Sequence, residues 1–99
     1  MRYEISEKAE QDLLDIEKYL LAKWNVTVLE NFFIKLQKAI NLLLEKKVLF
    51  KKYENTHFHQ YVVTKHNSLI YFYEDDVLYI VRIIQNFQNP DENYQSLNE

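Results

Sequence analysis

The stretch Val77–Ile84, V-L-Y-I-V-R-I-I, decides the fold of this chain, and it runs directly into the polar segment Gln85–Pro90, Q-N-F-Q-N-P. An unbroken run of β-branched and aromatic residues predicts a strand. Strict alternation would put Leu78, Ile80, Arg82 and Ile84 on one face and Val77, Tyr79, Val81 and Ile83 on the other. Both faces are then largely apolar. We expect helices to cover one face and a partner to cover part of the other.

Two similar runs precede this strand and predict a meander. They are Phe58–Thr64 and Leu69–Tyr73, separated by short polar breaks at His66-Asn67-Ser68 and Asp75-Asp76. Breaks of this length join antiparallel hairpins. Because the chain contains no glycine, Asn67 and one of the two aspartates should take any positive φ that the turns require.

The first half of the chain changes to helical spacing. Alternation over Met1–Ile5 indicates a brief strand, Ser6 is a good N-cap, and apolar residues then recur every three or four positions over Glu7–Lys23. Thr27 is expected to cap a second helix over Val28–Glu45. The predicted fold is therefore α+β, with the order β-α-α-β-β-β. A short N-terminal strand and an antiparallel helical hairpin pack on an antiparallel sheet.

Composition limits the organisation and the chemistry. Ninety-nine residues allow one domain, which we place at residues 1–90, with a loop at 46–55 and a polar tail at 91–99. Without cysteine there is no thiolate chemistry, and without glycine a phosphate-binding loop is implausible. With no apolar leader or membrane-length segment, we expect a cytoplasmic protein that binds neither a membrane nor a small-molecule cofactor.

Charge and histidines give the candidate site residues. The formal net charge is −3, and residues 46–82, with six basic and four acidic side chains, form the only net positive stretch. Lys51, Lys52, Lys65 and Arg82 are candidate phosphate contacts, although charge beside a loop more often only keeps it solvated. His57 and His59 should project from the same side of a strand. Two ligands do not make a zinc site, so we expect no bound metal.

His59 and Tyr61 each have two interpretations. His59 is a candidate general acid or base, and the alternative is an ordinary edge-strand histidine. Tyr61 suits base stacking or insertion into a partner's groove, and the alternative is a core tyrosine.

Several degenerate motifs, taken together in order, carry a family resemblance. The first helix reads S-x-x-A-x-x-D-L-x-x-I-x-x-Y, the second F-x-x-x-L-x-x-A-I, and the strands L-I-x-F-Y and V-L-Y-I-V-R-I-I, with an Asn-Pro pair after the last. The residues concerned are Ser6, Ala9, Asp12, Leu13, Ile16 and Tyr19; Phe32, Leu36, Ala39 and Ile40; Leu69–Tyr73; Val77–Ile84; and Asn89-Pro90. This pattern resembles the RelE/ParE superfamily of toxins from type II toxin–antitoxin systems.

The resemblance implies growth inhibition held in check by a cognate antitoxin, and its two branches imply different targets. ParE-like members, including plasmid stabilisation toxins, block DNA gyrase by binding. RelE-like members cut mRNA on the ribosome, a role in which His59, Arg82 and Lys65 would be catalytic. A toxin fold kept only as an interaction module is the third alternative.

The segment after the last strand counts more strongly against the RelE-like branch than against the ParE-like branch. ParE-like members commonly have a histidine and two arginines there, whereas this chain has Gln85, Phe87 and Gln88 and so lacks that positive charge. A ribonuclease needs positive charge at the phosphate, and a binding inhibitor does not. We therefore expect a non-enzymatic inhibitor. The residues expected to contact its target are Lys51, Lys52, His57, Tyr61, Gln85 and Gln88.

Overall fold

The computed structural model describes residues 1–46 and 57–85. The elements are β1 (Arg2–Ile5), α1 (Glu7–Lys23), α2 (Val26–Leu44), β2 (His59–Val62), β3 (Asn67–Glu74) and β4 (Val77–Gln85). This order confirms the predicted α+β class. The predicted loop at 46–55, apart from Lys46, and the predicted tail at 91–99 lie outside the described residues.

The four strands form one mixed sheet in the order β1-β4-β3-β2. The three later strands make the expected antiparallel meander. The first strand instead lies parallel to the last, in a register running from Arg2 opposite Val77 to Ile5 opposite Ile80. Parallel pairing requires a crossover, and the two helices are part of it.

Side-chain caps set where both helices begin. The Ser6 Oγ accepts a hydrogen bond of 3.0 Å from the Ala9 N–H, so α1 begins at Glu7 as predicted. The Asn25 Oδ1 accepts one of 3.0 Å from the Val28 N–H, so α2 begins at Val26. The prediction that Thr27 caps this helix was wrong. Asparagine is at least as good an N-cap as threonine, and two more residues join the first turn.

One hydrophobic core lies between the helices and a single face of the sheet. The helices contribute Ala9, Ile16, Leu20, Val28, Leu29, Phe32, Leu36, Ala39, Ile40 and Leu43, and the strands contribute Leu69, Tyr71, Leu78, Ile80 and Ile83. At the edge of this core the Tyr73 hydroxyl donates a hydrogen bond of 2.5 Å to the Leu43 carbonyl, joining β3 to the last turn of α2.

The two hairpin turns differ from each other in how they are built. In the second, Asp75 and Asp76 have φ of 50° and 62°, so aspartates take the positive φ as predicted. In the first, the break lies at Val63–His66, and Asn67 already belongs to β3 without positive φ, which corrects the predicted break. The Thr64 Oγ1 makes this turn by accepting hydrogen bonds from the His66 and Asn67 N–H groups at 3.0 and 3.1 Å.

A β-bulge in β4 corrects the predicted alternation. Ile80 pairs with Tyr71 but Arg82 pairs with Ile70, so Val81 is one extra residue. The extra residue shifts the faces beyond it, so that Leu78, Ile80 and Ile83 all contribute to the core. Arg82 and Ile84 therefore follow the opposite face of the sheet. The bulge was not apparent in the sequence because Val77–Ile84 is apolar at nearly every position.

Candidate functional site

The bulge in β4 is held by the beginning of α1. The Val81 carbonyl accepts a hydrogen bond of 2.8 Å from the Ser6 hydroxyl, and the Ile83 N–H donates one of 2.9 Å to the Asp12 Oδ2. The Ser6 N–H donates to the Ile80 carbonyl at 3.0 Å, where β1 ends. The side chains of Ser6, the N-cap of α1, and of Asp12 thus bind the β4 backbone beyond the point where β1 ends. Irregular strand backbone needs such partners when it is shielded from water.

Arg82 forms a two-point ion pair with Asp12 across the same junction. Its Nε and one terminal nitrogen donate to the two Asp12 carboxylate oxygens at 2.7 and 3.0 Å. Burial alone would raise the pKa of Asp12. The hydrogen bonds from Arg82 and from the Ile83 backbone, with the charge of Arg82, outweigh this effect, and the pKa of Asp12 lies below its usual value. The charge of the Asp12 carboxylate is therefore already paired with Arg82 inside the fold.

A polar cleft of about 350 Å³ lies beside this pair. It is lined by Asp12, Asp15, Ile16, Arg82, Ile83, Ile84 and Gln85. Gln85, a predicted target contact, is exposed at the end of β4 and lines this cleft with Arg82. Its two carboxylates and one guanidinium give the cleft no surplus of positive charge for a phosphate.

His59 and Tyr61 lie on the face of the sheet opposite to Arg82. His59 pairs with Tyr71 and Tyr61 pairs with Leu69, and both partners belong to the core. The ring centroids of His59 and Tyr71 are 5.6 Å apart, and Tyr61 packs against the core. Arg82 pairs instead with Ile70, which is outside the core cluster. The structure does not bring His59 and Arg82 together.

The remaining predicted site residues are dispersed. Lys65 is exposed in the turn between β2 and β3, and His57 is exposed with its ring centroid 4.4 Å from that of Phe58. Lys51, Lys52 and Gln88 lie outside the described residues. Within residues 1–46 and 57–85, no group of three histidine or acidic side chains is arranged to hold a metal ion.

Two features of the site region were not predicted from the sequence. Asp12 was noted only as a motif residue, and its contact with Arg82 spans 70 positions of sequence. His66 is completely buried, and burial lowers the pKa of its imidazole to about 4. Burial also raises the pKa of Tyr71, in the core, to about 12. Polar residues at a predicted turn gave no indication that they would be buried.

An apolar concavity lies elsewhere, between β1 and the helical hairpin, and we call it the β1–helix groove. Its volume is about 400 Å³. It is lined by Tyr3, Ile5, Leu13, Phe33, Ile34, Leu36, Gln37 and Ile40. Every lining residue except Gln37 is apolar or aromatic, and Ile34 is 65% exposed. Exposed apolar side chains that lie together in a concavity make it a candidate surface for a protein partner.

A second, smaller cleft lies on the other flank of α2. Its volume is about 220 Å³, and it is lined by Lys35, Lys38, Ala39, Leu42, Tyr61 and Val63. Tyr61 lines this cleft and packs against the core, while its predicted contact with a target stays a prediction. The residues beside it are lysines from a helix rather than the predicted lysines at 51 and 52. Separately, no helix of the described part of the chain is long and apolar enough to cross a membrane.

Solved structures with the same fold include two bacterial toxins. A metal-bound toxin from Helicobacter pylori is 18% identical, with a TM-score of 0.62 and coverage of 87% of this chain and 94% of that one. YafQ from E. coli strain BL21(DE3) is 17% identical, with a TM-score of 0.59 and coverage of 85% and 91%. The E. coli DinJ–YafQ complex matches at 16% identity, a TM-score of 0.56 and coverage of 84% and 90%. At these identities the likeness shows the fold alone.

Comparison of the sequence with protein families is more specific. A search of curated proteins found no match. A family model described as the ParE toxin of the type II toxin–antitoxin system parDE matches residues 3–90, which is most of the chain and includes both helices and strands β2 to β4 in full. This chain therefore belongs to the ParE toxin family of type II toxin–antitoxin systems.

Proposed function

We propose that this protein is a cytoplasmic toxin that inhibits DNA gyrase by binding to it, and that a cognate antitoxin holds it inactive. The observation that supports binding rather than RNA cleavage is the engagement of Arg82 by Asp12. A ribonuclease must place uncompensated positive charge where the phosphorane develops. Here a carboxylate lies within 3.0 Å of the guanidinium and would repel an incoming phosphate.

The separation of His59 from Arg82 supports the same proposal. Proton transfer and charge stabilisation must act on one phosphate at the same time, so the two groups need to face one site. They follow opposite faces of the sheet, and His59 faces the helices. A binding inhibitor requires no such convergence. It requires only a surface that is complementary to its target.

A supercoiling assay with purified chain and purified gyrase tests the proposal. We expect a micromolar excess of the chain to stop supercoiling of a relaxed plasmid. Adding the protein encoded by a neighbouring antitoxin reading frame should restore it. Undiminished supercoiling at that excess would refute the gyrase proposal.

Primer extension on translated messages distinguishes the RelE-like alternative. We expect no codon-phased cuts after the chain is induced in cells. Cuts that disappear in the His59→Ala variant would replace our proposal with ribosome-dependent cleavage. If induction neither slowed growth nor produced cuts, the chain would be an interaction module without toxicity.

A further inference from the structure

The smaller cleft on α2, which we call the α2–β2 cleft, combines two lysines with a tyrosine hydroxyl. Lys35 and Lys38 are exposed on α2, and Tyr61, on the edge strand β2, lines the same cleft. The rest of its lining consists of Ala39, Leu42 and Val63. Among the described residues that line it, none is acidic, whereas the cleft at Arg82 holds two carboxylates.

The charge of the two lysines is not compensated by a neighbouring carboxylate. Within residues 1–46 and 57–85, neither ammonium group makes an ion pair or a hydrogen bond. The Tyr61 hydroxyl likewise makes no hydrogen bond to any residue of these ranges. The next glutamate on this flank of α2 is Glu45, seven residues after Lys38 and so about 10 Å along the helix. The α2–β2 cleft is therefore a local centre of positive charge on an acidic chain.

The size and the donors of the cleft favour one unit of an anionic polymer over a separate small molecule. Its volume of about 220 Å³ is below the roughly 300 Å³ at which small-molecule pockets begin. Lysine and tyrosine side chains are among the groups that bind phosphate oxygens in protein–DNA complexes, and such contacts position the backbone without reading its sequence. Lys35 and Lys38 are three residues apart on one helix, so their side chains begin about 5–6 Å from each other and can reach one phosphate or two neighbouring ones.

We propose that the α2–β2 cleft binds the phosphate backbone of duplex DNA, so that the toxin binds gyrase more tightly when gyrase holds DNA. The inference deepens the proposed function, on which it rests for the source of the DNA. Lys35 and Lys38 bind phosphate oxygens through their charge, and the Tyr61 hydroxyl donates a hydrogen bond to the same backbone. Two lysines bind DNA only weakly by themselves. Once the toxin is attached to gyrase, the same contact becomes effectively intramolecular and adds to the total affinity.

The salt dependence of DNA binding tests the assignment. Fluorescence anisotropy measures the association constant of the full chain for a labelled DNA duplex between about 50 and 200 mM salt. Neutralising two phosphates predicts that its logarithm falls with the logarithm of the salt concentration with a slope of about −2. Lys35→Gln and Lys38→Gln should each reduce the magnitude of this slope by about 1. Tyr61→Phe should weaken binding severalfold without changing the slope, because a neutral hydroxyl releases no counterion. A slope that both lysine variants leave unchanged would overturn the proposal.

Removing two charges from α1 provides the matched control. Lys18 and Lys23 are exposed on α1, and their double substitution by glutamine removes as much charge as that of Lys35 and Lys38. We expect Lys18→Gln/Lys23→Gln to bind the duplex as the unmodified chain does, and Lys35→Gln/Lys38→Gln to bind it about tenfold less tightly at the lowest salt concentration. Equal losses in the two double variants would show a general attraction to lysines and would overturn the proposal. Tighter binding to an RNA duplex of the same sequence would also overturn it.

A gyrase titration separates this inference from the proposed function. The labelled chain should bind gyrase on a DNA duplex about tenfold more tightly, or better, than gyrase without DNA. Lys35→Gln/Lys38→Gln should remove this difference, and Lys18→Gln/Lys23→Gln should keep it. Equal binding of the unmodified chain to gyrase with and without DNA would overturn the inference and leave the proposed function standing. If the chain binds gyrase in neither form, the proposed function fails, and the salt dependence with the isolated duplex still decides whether the cleft binds DNA.

Discussion

At the scale of single residues, Asp12 joins helix and sheet through one carboxylate. Its two oxygens receive hydrogen bonds from the Arg82 side chain and from the Ile83 backbone, and its side chain is only 12% exposed. Removing one partner of a partly buried charged pair leaves the other with unmet hydrogen-bonding capacity. These contacts give a structural reason for the aspartate in the family motif, and this reason does not depend on the target of the protein.

The Asp12→Asn variant should lose about 1–3 kcal/mol of unfolding free energy, because hydrogen bonds to a charged group are worth that much. Urea denaturation at pH 7 measures the change. Asp15→Asn is the matched control: Asp15 is on the same helix, is exposed, and should shift stability by less than about 0.5 kcal/mol. A loss at Asp15 as large as that at Asp12 would contradict this account.

Acid should remove the contribution of the Asp12 ion pair to the unfolding free energy. Because the pKa of Asp12 is lower in the folded chain than its ordinary 3.8, its stabilisation is complete above that value and is lost as the pH falls through the lower folded pKa. Urea denaturation of the unmodified chain and of Asp12→Asn, repeated from pH 6 to pH 2.5, should show the difference between them shrinking. A difference independent of pH would count against the ion pair.

His66 should make stability depend on pH in a higher range. Burial lowers the pKa of its imidazole from 6.5 to about 4 in the folded chain. Between these values the unfolded chain binds a proton that the folded chain excludes, so the unfolding free energy should fall as the pH drops from about 6.5 to 4. Urea denaturation across this range should give a shallower slope for His66→Gln than for the unmodified chain; identical slopes would contradict the assignment.

At the scale of elements, the turn between β3 and β4 is built without glycine. Asp75 and Asp76 both have positive φ, which costs a residue with a Cβ about 1 kcal/mol relative to glycine. Replacing Asp76 with glycine should therefore raise the unfolding free energy by up to about 1 kcal/mol, and Asp76→Ala should lower it. Thermal unfolding of the two variants measures both signs. A loss of stability in both would mean that the Asp76 side chain matters more than its backbone angle.

The elements show which structural features the sequence determines locally. The bounds of α1 were predicted because Ser6, Glu7 and the apolar spacing all act within one helix. The bulge at Val81 was not, because both neighbouring registers of an apolar strand look alike. The partners that fix the register, Ser6 and Asp12, are 71 or more positions from the backbone groups they bind.

The candidate site was harder to predict than the elements. His59 and Arg82 were selected by residue type, yet whether they face one site depends on strand register and on the bulge. The β1–helix groove arises where three elements meet, so its lining residues are scattered from Tyr3 to Ile40. A single helix shows only which of its faces is apolar. It does not show how much of that face a neighbour leaves uncovered.

At the scale of the whole molecule, binding of the antitoxin should stabilise the fold. A ligand that binds only the native state at about 100 times its Kd adds roughly 2.7 kcal/mol to the unfolding free energy. The cognate antitoxin should therefore raise the Tm of the chain, measured by differential scanning fluorimetry. An unchanged Tm in the presence of the antitoxin would contradict the proposed partner.

The parallel pairing of β1 with β4 has a consequence for how the molecule is made. The first strand pairs with the last, across 75 positions from Arg2 to Val77. A ribosome that adds about 5–20 residues per second synthesises β1 several seconds before it synthesises β4. Contacts of such high sequence separation form late, because loop closure must precede them. Nascent chains interrupted before β4 therefore lack both the neighbour of β1 and the backbone that Ser6 and Asp12 bind, so the groove wall and the Arg82 junction are completed together at the end of synthesis.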